Sequence, residues 1–393
     1  MIDIEQEINK IIKEVIEWRH YIHSRPELAF EEFNTSKWIQ EKLKEWHIPF
    51  ETNWASTGIV GKLEVKEPVK KLGFRTELDA LPIEEKNEFS YKSIYKGKMH
   101  ACGHDGHMAA LLGAAKILSD FYQKGLLKNS IYFIFQPAEE NEGGAKKMIE
   151  EGFNRKYQLD AIYSIHNWPE LPEGIFGIKQ GPIMASYDRF EIHFSSEKGS
   201  HAAMPHQGID IIYIATQLIQ NTYSYLSRMN PVQEKVLSFT SIHGGTTYNV
   251  LPDTLEIKGT IRTFDKNIRN QILSFLKQLL ESYRNLYGLN YNFLLYDGYP
   301  ATINTKKEVE IVKKLIIEKF GSDRYKEIEK PSMGSEDFSY FLEHYPGVYL
   351  WLGSQNKNKN QTICMLHNPE FDFNDNILKD IIKFWVERAN YLE

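Results

Sequence analysis

Ile131-Tyr132-Phe133-Ile134-Phe135 is an unbroken apolar run, and Gln136-Pro137-Ala138-Glu139-Glu140 follows it directly. A short run that is apolar on both faces reads as a strand buried in the middle of a sheet. Residues 58–61, 72–74 and 161–165 have the same character. Helical periodicity fills the gaps between them, over about 106–122 and 144–151. Strand and helix in alternation predict an α/β unit: a mixed, mostly parallel sheet between helices. Upstream, Ile4, Ile8, Ile11, Ile12, Val15, Ile16 and Trp18 mark a helix that ends before Pro26. A second helix is expected from the cap Asn34 to about Trp46.

The texture changes after Ala185. Phe190-Glu191-Ile192-His193-Phe194 alternates apolar with polar side chains, and so does Leu255-Glu256-Ile257-Lys258. Such alternation belongs to antiparallel strands with one wet face. Two amphipathic helices, about 209–228 and 267–286, accompany four such strands, the last near 291–295. Strand–helix–strand–strand–helix–strand is the order of a ferredoxin-like α+β unit. Buried strand and helix then return at 348–352 and 376–391. The expected organisation is a catalytic domain in two parts, 1–185 and 298–393, interrupted by an inserted lid and dimerisation domain at 186–297.

Composition excludes several functions. With 42% hydrophobic and 25% charged residues the chain is an ordinary globular one, not a disordered one. Its formal charge of −6 gives no support for a nucleic-acid partner. No run of apolar residues is long enough for a membrane span, and no leader pattern precedes the first helix. Two cysteines, Cys102 and Cys364, cannot form a disulfide framework and fit the reducing cytoplasm.

The chemistry concentrates in His100-Ala101-Cys102-Gly103-His104-Asp105-Gly106-His107, which holds most ligand types of a transition metal. Glu139 and Glu140 leave a buried strand together, so one can bind metal while the other moves protons. His166 closes the predicted strand 161–165 and opens a turn at His166-Asn167-Trp168-Pro169; His367 precedes the last helix; Asp79 follows the strand at 72–74. Catalytic groups in open α/β sheets gather beyond the carboxyl ends of the strands. One four-coordinate ion would not use so many ligands, so two metals are expected. Cys364 is read as a buried thiol, and His20 and His23 as surface or packing residues.

Residues 75–82, 100–107, 136–140, 166–169, 200–206, 249–253, 333–338 and 367–369 resemble, in order, the metal-dependent amidohydrolase and carboxypeptidase family. That family includes aminoacylases, hippurate hydrolase and hydrolases of indole-acetyl amino acids. The resemblance starts at His23-Ser24-Arg25-Pro26-Glu27 and covers essentially the whole chain. It implies that Cys102, His104, Glu140, His166 and His367 bind two divalent ions, with Glu139 as general base. Asp79 would orient a ligand, and His201 of the lid would reach the partner subunit's oxyanion. Asn249 and Arg262 would hold the substrate, the arginine fork facing its carboxylate. Zinc suits the cysteine and histidine ligands, with manganese, cobalt and nickel as alternatives. One departure is Glu77, where relatives usually carry aspartate.

The resulting expectation is a cytoplasmic homodimer that hydrolyses N-acyl amino acids or C-terminal peptide bonds. The competing readings are a di-metal phosphatase or aminopeptidase, and a metal-binding or regulatory protein without catalysis. The adjacent Glu139 and Glu140 argue against the last, since pure binding needs no base.

Overall fold

A computed structural model describes residues 3–140, 142–355 and 363–392. The chain divides into two compact units. One comprises Met1–Ile183, Thr302–Pro331 and Asp337–Glu393, and the other Met184–Ala301 and Ser332–Glu336. Residues 332–336 are too short a stretch to carry a period, so sequence texture assigns them elsewhere. Among the described residues no helix is long and apolar enough to cross a membrane.

The first unit is built on an eight-stranded sheet. Its strands are β1 (Phe50–Trp54), β2 (Gly58–Leu63), β3 (Lys71–Glu77), β4 (Ser130–Gln136), β5 (Ala161–Pro172), β6 (Phe176–Ile178), and the returning strands Tyr325–Glu327 and Gly347–Gln355. They lie in the order β1, β2, β4, β3, β5, Gly347–Gln355, β6, Tyr325–Glu327. From β4 to Gly347–Gln355 the neighbours run parallel, while β1 and β2 add antiparallel pairs at one side. Every residue of β4 is buried, as its apolar run requires.

The longer helices are α1 (Ile4–His23), α2 (Phe33–Glu45), α3 (His104–Gln123), α4 (Gly144–Glu150) and the returning Lys306–Lys319 and Leu378–Asn390. Helix α3 is buried along most of its length. Its Gly113 allows two helices to approach: an added Cβ would lie 3.0 Å from Ile382 and 3.1 Å from Val15. The expected cap Asn34 lies inside α2. The carboxylate of Glu27 takes the cap's place, accepting the N–H groups of Asn34 at 3.2 Å and Thr35 at 2.8 Å.

In the second unit, β7 (Asp188–Ser195), α5 (Ile211–Arg228), β8 (Lys235–Gly244), β9 (Thr254–Thr263), α6 (Lys266–Tyr287) and β10 (Asn290–Asp297) follow one another. The sheet order is β8, β9, β7, β10, antiparallel throughout. Phe190, Ile192, Phe194, Leu255, Ile257 and Ile261 form a core with Ile214 and Leu218 of α5 and Ile272 and Leu276 of α6. Their alternation with half-exposed residues is the period of two seen in the sequence. Asp210 and Asp265 cap the two helices, accepting from Tyr213 N at 2.9 Å and Asn267 N at 2.6 Å.

Candidate metal centre

The chain leaves β3 for β4 on one side and then crosses to β5 on the other. This reversal opens a crevice at the carboxyl ends of the parallel strands, where α/β sheets hold their ligands. Asp79 follows β3, Glu139 and Glu140 follow β4, and His166 lies within β5. Cys102 and His104 come from the loop and first turn of α3.

These residues meet in three overlapping groups. Cys102, His104 and His166 form one, Cys102, Glu140 and His367 a second, and His104, Glu139 and Glu140 a third. Within each group the candidate ligand atoms lie within 4.8 Å of one another. Cys102 Sγ is 3.4 Å from His166 Nε2, and His367 Nε2 is 3.1 Å from Glu140 Oε1.

The imidazoles are oriented from behind. His104 Nδ1 donates to the Asp79 carbonyl at 2.8 Å, and His166 Nδ1 donates to the Asn167 carbonyl at 2.8 Å. A carbonyl only accepts, so each ring carries a proton on Nδ1, leaving Nε2 as the nitrogen that would ligate a metal. His104 Nε2 is buried without a hydrogen-bond partner. A buried nitrogen left open beside a thiol and carboxylates is what a divalent metal would satisfy, so the donor set fits one.

Electrostatics agree. Burial raises the Cys102 thiol well above its usual range, and the Glu140 and Glu139 carboxylates push it further. Burial lowers His104, but Asp79 and Glu77 outweigh it and bring its pKa to about 10. Burial and the nearby His107 hold His166 well below the usual histidine range. The field around Cys102 and His104 is therefore negative and favours a cation.

A second layer supports these side chains. Arg75, fully buried, pairs with Glu77 and donates to Gln136 at 2.8 Å and to Asp337 at 2.8 Å. Glu77 Oε2 accepts from His107 Nδ1 at 2.9 Å, and His107 Nε2 lies 2.8 Å from Asn167 Oδ1. The longer Glu77 side chain thus connects β3 to α3. Gly103, with φ of +100°, lets the loop pass this layer, since a Cβ there would sit 2.1 Å from Asn167 Oδ1.

Two non-glycine residues at the site, Ala138 (φ +54°) and His367 (φ +65°), adopt left-handed backbone. Such conformations are held only where the surroundings fix them. Asp79 Oδ2 accepts the Glu140 N–H at 2.9 Å, behind the acidic pair.

Sequence reasoning missed four contributors. Asp337 lies inside the recognised stretch 333–338 but received no role. Asn167 was read only as part of a turn. Glu32 carried no local signal. His23, expected to serve surface or packing roles, is fully buried between Asp105 at 2.9 Å and Glu85 at 3.1 Å. The expected turn at 166–169 is strand: β5 continues to Pro172 because Gly347–Gln355 pairs with it past a bulge after Gly353, as far as Gln355 opposite Pro172. Cys364 is only partly buried, packed at the edge of the core.

The other expected residues belong to the second unit. His201 pairs with Val250 in a two-stranded ribbon, and Asn249 O accepts the Ala202 N–H at 2.9 Å, so His201 and Asn249 are neighbours. Both are exposed. Arg262 on β9 donates to the Met333 carbonyl at 2.8 Å and lies 4.5 Å over the Tyr187 ring.

Residues 73–390 match Peptidase family M20/M25/M40. Thermostable carboxypeptidase 2 of Saccharolobus solfataricus is 38% identical, over 96% of either chain. N-acetyl-L-cysteine deacetylase of Bacillus subtilis is 37% identical, over 98% of this chain and 89% of that one. A Bacillus subtilis crystal structure described as a dinuclear metal-binding peptidase of the M20 family superposes with a TM-score of 0.82 at 31% identity, covering 97% of this chain and 98% of that one. On sequence and fold together, the chain is a hydrolytic enzyme and belongs to Peptidase family M20/M25/M40.

Proposed function

We propose that the enzyme hydrolyses the amide bond of N-acyl amino acids or the C-terminal peptide bond of short peptides. The observation that carries this reading is the overlap of the three groups around Cys102, His104 and Glu140, one of which includes Glu139. In this reading Cys102, His104, Glu140, His166 and His367 hold two divalent ions, zinc being favoured by the thiolate and imidazole donors. When bound, such ions polarise a carbonyl and make water acidic near neutral pH.

The protein's own groups do the rest. Glu139 accepts the proton of the attacking water and delivers it to the departing amine. Asp79 holds the Glu140 N–H and the His104 ring in place, so ligand and base keep their spacing. His201 stabilises the tetrahedral oxyanion from the partner subunit, while Asn249 and Arg262 hold the substrate carboxylate. The second unit then acts as the lid and dimer interface of a cytoplasmic homodimer. A deacetylase and a carboxypeptidase among the similar proteins support this substrate class.

The test is a panel of N-acetyl and N-benzoyl amino acids and dipeptides, with phosphate esters and free-amine peptides as controls. Hydrolysis confined to the controls would overturn the substrate assignment. Glu139→Gln should keep its metal and lose activity by about 100-fold or more. Comparable turnover in that variant would remove Glu139 from the role.

A further inference from the structure

The backbone N–H groups of Ala138, Glu139 and Glu140 all end on buried carboxylates. Asp79 takes those of Glu139 and Glu140. The third, on Ala138, is taken by Glu32 Oε1 at 2.9 Å. Glu32 is wholly buried at the start of α2, and its second oxygen accepts the Thr57 hydroxyl at 2.7 Å. Among the described residues no basic side chain pairs with it. Burial, then the charge of Asp79, raise its pKa to about 7, against the pull of the Thr57 and Ala138 hydrogen bonds. A buried carboxyl without a cation is costly to keep, and an apolar residue would fill the space more cheaply.

Its partner explains its presence. Ala138 immediately precedes Glu139 and sits at φ +54°, a conformation an alanine rarely adopts unaided. Its carbonyl accepts the Gly144 N–H at 2.9 Å, so the residue is held on both sides. We infer that Glu32 is a positioning residue for Glu139: it clamps the Ala138 amide in the left-handed turn that sets the direction in which Glu139 leaves β4. This rests on the proposed role of Glu139 as base. Capping α2 is a different task, already performed by Glu27.

The experiment compares Glu32→Met, Glu32→Asp and Glu32→Gln in the metal-loaded enzyme, reading kcat, KM, metal content and hydrogen exchange at the Ala138 amide. Methionine keeps the length but accepts nothing, and aspartate keeps the charge but falls short of Ala138. Both should lower kcat about 100-fold, the scale of a misplaced reacting group, with KM within about threefold. Both should also speed exchange at Ala138 while metal content is retained. Glutamine still offers an oxygen at the same reach and should stay within about tenfold of the parent kcat. Adding Ala138→Gly to Glu32→Met should restore at least about tenfold, because glycine takes the left-handed turn unaided.

Unchanged exchange and unchanged kcat in Glu32→Asp would overturn the inference even if Glu32→Met fails to fold. So would equal losses in the Gln and Asp variants without faster exchange, which would point to charge rather than the clamp. The exchange readout does not depend on the substrate. If Glu139→Gln proves fully active, the base assignment falls, and exchange alone decides whether Glu32 holds Ala138.

Discussion

His23 offers a quantitative check on the packing beneath α3. The side chain is fully buried, with Nδ1 2.9 Å from Asp105 and Nε2 3.1 Å from Glu85. Burial disfavours its charge, but Asp105 and Glu85 prevail and raise its pKa from 6.5 to about 9. The difference corresponds to about 3 kcal/mol, and burial spares the pair from solvent screening. Because the folded pKa is the higher one, this stability is fully present below pH 6.5 and is lost as pH rises through about 9. The informative variant is His23→Gln, which keeps hydrogen bonding but cannot carry charge. Urea unfolding of both proteins at about pH 6 and about pH 9.5 supplies the comparison. The parent should exceed the variant by roughly 3 kcal/mol at the lower pH and converge towards it at the higher. A gap that stays constant with pH, or widens above pH 9, would refute a protonated His23 paired with Asp105.

Two further outcomes follow from the metal centre. Gly103→Ala places a Cβ 2.1 Å from Asn167 Oδ1 at a φ of +100°. Backbone strain alone costs about 1–2 kcal/mol, and the displaced Asn167 loosens His107 and His166. Metal titration should show affinity down by about tenfold or more, the scale of losing such supporting contacts; unaltered affinity would contradict the supporting role of Asn167. Burial and the neighbouring carboxylates keep the Cys102 thiol protonated in the metal-free protein, and Asp79 and Glu77 keep the His104 ring protonated too, so binding near neutral pH should release about two protons and weaken as pH falls. Calorimetry in buffers of different ionisation enthalpy counts those protons, and release of one or none would argue against thiolate ligation.

How much of this was legible in the sequence depended on whether the signal was local. The apolar run 131–135 announces β4 because a strand buried on both faces needs no polar residues. The cluster from His100 to His107 announces the candidate metal loop because ligand density is itself local. The end of β5 was hidden: Pro169 suggests a turn, and only pairing with Gly347–Gln355 carries the strand to Pro172. Glu32 was hidden for a similar reason, since its partner Ala138 lies far along the chain. His23 and Asp105 are also distant in sequence, and a histidine at a helix end gives no sign that a carboxylate will bury it. Periodicity reports which face is apolar; it does not report which distant polar groups will meet.

Metal stoichiometry coupled to turnover tests the central claim most directly. Protein stripped with a chelator should be inactive toward an N-acetyl amino acid, and activity should return as divalent zinc or manganese is titrated, reaching its plateau near two ions per chain. Full hydrolysis by the stripped protein, or a plateau with no ion bound, would contradict it.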